Sequence, residues 1–284
     1  LWYFGRPSFS HNDSGKAGLL FDCQTPSFDI LSDDSWKCEA NPAYGTCPPP
    51  DPNMRLAESN IRYDARKAGR AWHQPDFNAD EMPQAVENGT AGSRPWNKLV
   101  LRPIPLWKVG ELQDYPSQVR NGDTIVCTLP YNAQITPYIK LKASSGDKVQ
   151  IFTDNYLKYN GGDNYLRCEY IARDGVQDYE NKGWTNGHRV YYVVPADAEV
   201  MELKFRESGY DTEFVGTFEC SDPEFNRFLT KAVRTLYITM RDTYMDCPDR
   251  ERSQWTGDVV NESGEAFYAL SESANRLTRK WLHN

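Results

Sequence analysis

Apolar and polar positions along this 284-residue chain follow two different periods. Up to about residue 220, short runs rich in Val, Ile, Tyr and Thr alternate with Gly, Pro, Asn and Asp. Examples are Asp123 to Leu129, Ile135 to Ala143, Lys148 to Thr153, Arg189 to Val194 and Glu199 to Arg206. Such runs between turn residues predict strands, and Ser144-Ser145-Gly146-Asp147 predicts a hairpin turn between two of them. Many short strands at regular spacing favour β-sandwiches over an alternating α/β fold.

After Cys220 the period becomes helical. Asp222 is a good N-cap and Pro223 a good first helical residue. Phe225, Phe228, Leu229, Ala232, Val233, Leu236 and Met240 then recur at spacings of three and four, a wide apolar stripe. A second helix is predicted around Ala266, Phe267 and Leu270. A third begins near Asn275 and carries Leu277, Trp281 and Leu282. Each would bury one face only against partners this chain lacks. Cys47 to Pro52 reads as a Pro-rich loop, and Arg102-Pro103-Ile104-Pro105 as a hinge between two β domains. The expected division is therefore 1–102 and 103–220, both β, and 221–284, helical.

Composition narrows the partners. A formal charge of −8 argues against nucleic acid and acidic polymers, which a broad basic surface would serve. No run of eighteen apolar residues predicts a membrane-spanning helix. The 17 Tyr and 8 Trp are many. Most such rings fill cores, yet flat aromatic faces also suit sugar rings. The seven Cys include no CxxC pair, so zinc and thioredoxin-type chemistry are not expected. Cys38 and Cys47 flank a Pro/Gly-rich loop and are candidates for pairing. His11, His73, His188 and His283 form no H-x-x-H pattern, and neither metal nor cofactor is expected. His188, in a Gly/Asn-rich turn, reads as a turn residue. No G-x-S-x-G elbow is present. The chain starts at Leu1 with neither Met nor a signal peptide, and so reads as a processed product or a fragment.

The chemistry is concentrated between Asp242 and Asp258. Five acidic residues, the bases Arg250 and Arg252, and the less polar Met245, Cys247 and Trp255 share one connection between helices. Apolar groups among so many charges imply partial enclosure. Enclosed, clustered carboxylates disfavour ionisation, which is the environment a general acid needs. From residue types alone, an ion-pair network in which Arg250 and Arg252 neutralise the acids explains the segment equally well.

The arrangement Asp246-Cys247-Pro248, then Glu251, Trp255 and Asp258, resembles the active-site signature of glycoside hydrolase family 78, the α-L-rhamnosidases. The resemblance extends to Arg234-Thr235-Leu236-Tyr237 and to Val259 through Ala266. It includes Leu129-Pro130-Tyr131-Asn132-Ala133-Gln134, Gly183-Trp184-Thr185-Asn186-Gly187-His188 and Glu207-Ser208-Gly209-Tyr210-Asp211-Thr212. Weaker echoes occur at Asp34-Ser35-Trp36 and Tyr63-Asp64-Ala65-Arg66.

What it implies is two jelly-roll-like β-sandwich domains followed by the first helices of an incomplete (α/α)6 barrel. It implies an inverting exo-glycosidase taking a carbohydrate substrate, a terminal α-L-rhamnoside. By the same resemblance Glu251 is the general acid. Asp246 and Asp258 bind the sugar hydroxyls, and Arg250 and Trp255 contact the sugar or brace the acid. The general base falls on a Glu beyond Asn284, so the 284 residues alone are expected to be inactive. The substrate class implies a secreted or periplasmic enzyme. The alternatives are a related hydrolase acting on another sugar, and a carbohydrate-binding or scaffold protein, which would have no need of the acidic signature. Were Glu251 and Asp258 on one helix, seven residues of rise would part them by about 10 Å. That is too far for the about 5–5.5 Å of a retaining pair.

Overall fold

A computed structural model describes residues 18–48, 60–69, 72–156 and 166–283. Its organising element is one long strand, β7, running from Thr124 to Ala143. The sequence predicts two strands here, interrupted around Pro130. The chain instead stays extended and changes partners. Its first part pairs with β6 (Ser117–Asn121) on one side and β11 (Thr185–Val193) on the other. Its second part pairs with β10 (Gly175–Glu180) and β12 (Glu199–Gly209). The β11 ladder skips from Thr128 to Ala133, with an irregularity between Gly187 and Arg189. Pro130, which has no N–H to donate, falls in that gap, where it interrupts no ladder.

β7 thus divides a ten-stranded sheet into two leaves. Beyond β11 lie β8 (Lys148–Thr153), β9 (Cys168–Ile171), β4 (Ile61–Asp64) and β3 (Tyr44–Thr46). Beyond β12 lies β5 (Lys108–Asp114). Ser144 to Asp147 does form a turn, closed by the Asp147 N–H on the Ser144 carbonyl at 3.1 Å. It is not a hairpin, because β7 and β8 are not paired; the turn carries the chain from one leaf to the other. β4 joins β9 in parallel. Tyr63 stacks on Tyr170 and Tyr179, so the sheet draws strands from both sides of residues 102–103. A separate two-stranded ribbon, β1 (Asp22–Gln24) with β2 (Asp29–Leu31), lies outside it.

The inner faces of both leaves meet in a single apolar core. Ile125, Cys127, Ile139, Leu141, Val149, Tyr170, Val190 and Phe205 are among its buried members. Period-two alternation along β7 puts these residues on one side. At the centre Tyr192 of β11 shares a 2.8 Å hydrogen bond with the Tyr115 hydroxyl, so neither buried phenol is left unpaired. All seven Cys are free thiols, Cys38 and Cys47 included. The latter is buried against the Arg167 carbonyl, which its Sγ meets at 3.5 Å. The suggested Cys38–Cys47 pair is therefore not formed.

Three helices follow: α1 (Pro223–Ile238), α2 (Thr256–Ala269) and α3 (Ser273–His283). Asp222 caps α1 as expected, accepting from the N–H groups of Glu224 and Phe225. The stripe of α1 is buried only at its C-terminal end. Leu236 and Met240 join a second core with Tyr210, Tyr244, Val259, Leu270 and Leu277, whereas Phe225 and Phe228 stay exposed. The reason is that α1 meets the rest of the described chain at that end. Residues 102–107 are no free hinge. Ile104 enters the second core and Arg102 forms an ion pair with Asp242. Among the described residues no helix is long and apolar enough to cross a membrane.

Leu141 is fully buried between the leaves. Leu141→Ala should cost about 2–5 kcal/mol of stability, measured as a lowered denaturant midpoint; an unchanged midpoint would mean the leaves do not share this core.

Candidate active site

The end of α1 is fastened to the sheet before the acidic segment begins. The last carbonyls of a helix have no partners within it. Here the buried Gln134 of β7 supplies them, its amide donating to Ile238 O at 2.7 Å and Met240 O at 3.3 Å. One turn earlier Arg234 donates to Asn132 O at 2.7 Å, pairs with Glu207 and covers the Tyr131 ring at 3.9 Å. Tyr237 donates to Tyr210 O at 3.1 Å. Gly209 makes room for it, since a Cβ there would lie 2.6 Å from the Tyr237 hydroxyl. Four scattered sequence segments, 129–134, 207–212, 234–237 and the Arg241 that follows, therefore meet at one junction.

Residues 246–253 form a closed loop between α1 and α2. Its two ends are tied reciprocally: Asp246 N–H donates to Ser253 O, and Ser253 N–H donates to Asp246 Oδ1, both at 3.0 Å. The Cys247 thiol donates to Asp246 Oδ2 at 3.1 Å, and Glu251 N–H meets Cys247 Sγ at 3.3 Å. Less polar residues among the charges thus serve the loop's own closure. Arg252 is held at φ 53°, a left-handed conformation that costs a non-Gly residue about 1–3 kcal/mol and persists only where the surroundings fix it. The surroundings do. Its Nε donates to Pro248 O at 2.7 Å, and its guanidinium lies 3.5 Å over the Trp184 ring.

Glu251 sits at the centre of this loop with its side chain only 12% exposed. Arg250 Nη2 meets its Oε1 at 3.1 Å and the Trp255 indole N–H donates to its Oε2 at 2.8 Å. Both carboxylate oxygens are therefore oriented, by a cation and a rigid ring. The sequence anticipates neighbouring anions around this side chain. The groups found on it are a guanidinium and an indole, because Asp246 turns back onto its own loop. Trp255 stands at the N-cap position of α2 and Asp258 in its first turn, where the helix dipole favours a carboxylate. Glu251 precedes the helix, so the rise calculated for a common helix does not apply. His188, exposed at the β11 irregularity, contributes its backbone N–H to Asp154. A cleft lined by Pro105, Asp211, Ser273 and Arg276 opens near the start of α3 and shares no residue with the loop.

Two further carboxyls, Asp249 within the loop and Glu262 in α2, are given no role of their own by the sequence. Burial raises the Asp249 carboxyl above its ordinary value, against a 3.1 Å hydrogen bond from the Asn186 amide. Burial pushes Glu262 of α2 up to about 8; Thr239 works against the rise, and the charges of Asp258, Glu265 and Asp246 add to it. Its Oε2 is buried without a hydrogen-bond partner among the described residues. Helical spacing signals that Glu262 lies one turn from Asp258, but only the fold shows which face of α2 is covered.

With these positions established, the comparisons become informative. Residues 213–284 match the family model described as the bacterial alpha-L-rhamnosidase 6-hairpin glycosidase domain, a span containing all five signature residues. An alpha-L-rhamnosidase of Formosa agariphila is 25% identical over 253 residues, covering 81% of this chain and 25% of its own length. Among solved structures, the α-L-rhamnosidase from Dictyoglumus thermophilum is 21% identical with a TM-score of 0.72, over 90% of this chain and 29% of that one. The Streptomyces avermitilis α-L-rhamnosidase complexed with L-rhamnose is 18% identical with a TM-score of 0.71, over 93% and 26%. At such identities these two likenesses speak for the fold. Residues 213–284 thus match the glycosidase domain of bacterial α-L-rhamnosidases, and most of the chain is similar to an α-L-rhamnosidase in sequence. It spans about a quarter of the length of the curated relative it matches.

Glu262 has a measurable consequence. Below its ordinary value of about 4.5, folded and unfolded states both hold the proton. Between there and about 8 only the folded state does, so stability falls as pH rises across that window. Glu262→Gln should flatten this part of the profile in thermal unfolding from pH 4 to 9. A wild-type slope in the variant would show that Glu262 is not the group responsible.

Proposed function

We propose that the protein carrying this chain is an inverting exo-glycosidase that removes terminal α-L-rhamnosyl residues from glycosides or plant polysaccharides, with Glu251 as proton donor. The observation that supports this most is the fixed, largely enclosed Glu251 carboxyl within the segment that matches the glycosidase domain. A proton donor must be oriented before it is useful, because geometry precedes acidity in general acid catalysis. Arg250 and Trp255 brace it from two directions. Asp258, exposed at the start of α2, and Asp246, with lone pairs left after closing the loop, are assigned to the rhamnose hydroxyls.

Inversion requires a second carboxylate about 6.5–9.5 Å from the acid, on the other face of the sugar, to activate water. We assign that role to a Glu of the full-length protein outside these residues. In the same reading the two leaves form a jelly-roll-like sandwich, and α1 to α3 are the first helices of an (α/α)6 barrel. A polymeric or glycosidic substrate of this kind is met outside the cytoplasm, which favours a secreted or periplasmic enzyme.

Full-length protein assayed on an alkyl α-L-rhamnoside, whose departing oxygen needs a proton, should lose about 10²- to 10⁴-fold in kcat on Glu251→Gln, while calorimetry still detects rhamnose binding. Wild-type turnover in the variant would remove Glu251 from the mechanism. NMR of fresh product should show the β anomer first; an initial α anomer would exclude inversion.

A further inference from the structure

The loop carrying Glu251 belongs to the glycosidase segment, yet the groups that hold it in place come from the sheet. On one side of Glu251, Asp249 Oδ1 accepts from the Asn186 amide at 3.1 Å. On the other, Arg252 stacks on Trp184 at 3.5 Å and donates to the Tyr156 hydroxyl at 3.3 Å. The two grips are one unit, because the Tyr156 hydroxyl donates in turn to Asn186 Oδ1 at 2.8 Å. Tyr156 and Asn186 are buried, and the Asn186 carbonyl is fixed by the Thr153 hydroxyl at 2.6 Å. This network reaches across about a hundred residues of sequence: Tyr156 follows β8, Trp184 immediately precedes β11, and Asn186 lies within β11. A surface contact serving stability alone would have no reason to bracket one side chain from both neighbouring directions.

We propose that the β-sheet is a working part of the active site, in which Trp184, Tyr156 and Asn186 are positioning residues that aim Glu251 by gripping Arg252 and Asp249. The inference rests on Glu251 being the acid. Its physical basis is that misplacing a catalytic group by about 1 Å costs about 10²-fold in rate. A peptide unit at φ 53° beside that group relaxes if its anchor is lost. The sugar contacts assigned to Asp258 come from α2, and Asp246 is held by the loop's own closure with Ser253, so the loss falls on kcat more than on KM.

The test uses full-length protein and two α-L-rhamnosides, one with an activated aryl leaving group and one with an alkyl leaving group. Only the second depends strongly on protonation of the departing oxygen. Trp184→Ala and Arg252→Ala should lower kcat on the alkyl substrate about 10- to 100-fold and on the aryl substrate several-fold less, with KM nearly unchanged. Trp184→Phe, which keeps an aromatic face, should recover most of the rate. Tyr156→Phe is close to isosteric and decides the matter if an alanine variant fails to fold; it should lose about three- to ten-fold on the alkyl substrate alone. Equal losses on both substrates, or none in Tyr156→Phe, would overturn the proposal. Glu251→Gln run alongside separates the two readings. If it shows no leaving-group dependence, the acid assignment has failed. If it does and the sheet variants do not, only the present inference has failed.

Discussion

The structure depends on burying a guanidinium. Arg241, only 6% exposed, lies where the helical segment meets the sheet, with burial and the nearby Arg252 charge lowering its pKa to about 9. An ion in such a place is tolerated only when its surroundings replace water. Here Gln134 Oε1 accepts one N–H, Ser208 Oγ another at 3.2 Å, and two indoles take the faces, Trp107 at 4.0 Å and Trp184 at 4.9 Å. These partners come from β7, β12, the 102–107 strap and the turn before β11. Satisfying one charge therefore fixes the relative placement of four separate pieces of chain. Cation–π contacts gain strength as water is excluded, so the arrangement is strongest when all four pieces are in place.

Trp184 extends that constraint to the 246–253 loop, since the same ring carries Arg252. Two cations near one indole repel each other, and their charges are answered by different groups. Arg241 is answered by neutral oxygens at the junction and by the charge of Asp242. Arg252 is answered by Pro248 O, Tyr156 and the carboxylate charge of Asp249. Part of the acidity of the 242–258 segment is thus structural, as an ion-pair reading of the sequence holds. Asp249 faces the sheet and Asp246 closes the loop, which leaves Glu251 held by Arg250 and Trp255.

Much of this was legible in residue order. The change of period at Cys220, the Asp222-Pro223 helix start and the run of short strands follow from local preferences that the fold does not override. The signature residues are close in sequence, so their proximity needed no tertiary information. What escaped detection depended on partners distant in sequence. Pro130 reads as a break, and only the gap in the β11 ladder shows why β7 continues through it. Ser144 to Asp147 has hairpin chemistry, but a turn's residues do not specify whether the strands it joins will pair. Residues 102–105 look like a hinge until Ile104 is seen in the second core. Glu262 and the Tyr156–Asn186 pair could not be read because burial, which gives them their properties, is a property of the assembled chain.

A loop that must hold one side chain in place needs a scaffold stiffer than itself, and the anchoring here follows from that. A loop tied only to its own residues, as Asp246 and Ser253 tie this one, keeps its shape but not its aim. Aim requires contacts to elements that cannot move with it. The sheet has a densely buried core, with Ile135, Ile139, Leu141, Val190 and Tyr192 wholly inaccessible to solvent. Interiors at such packing density transmit displacement rather than absorb it. Anchoring Arg252 and Asp249 to residues on and beside β11 therefore gives Glu251 the rigidity of that core.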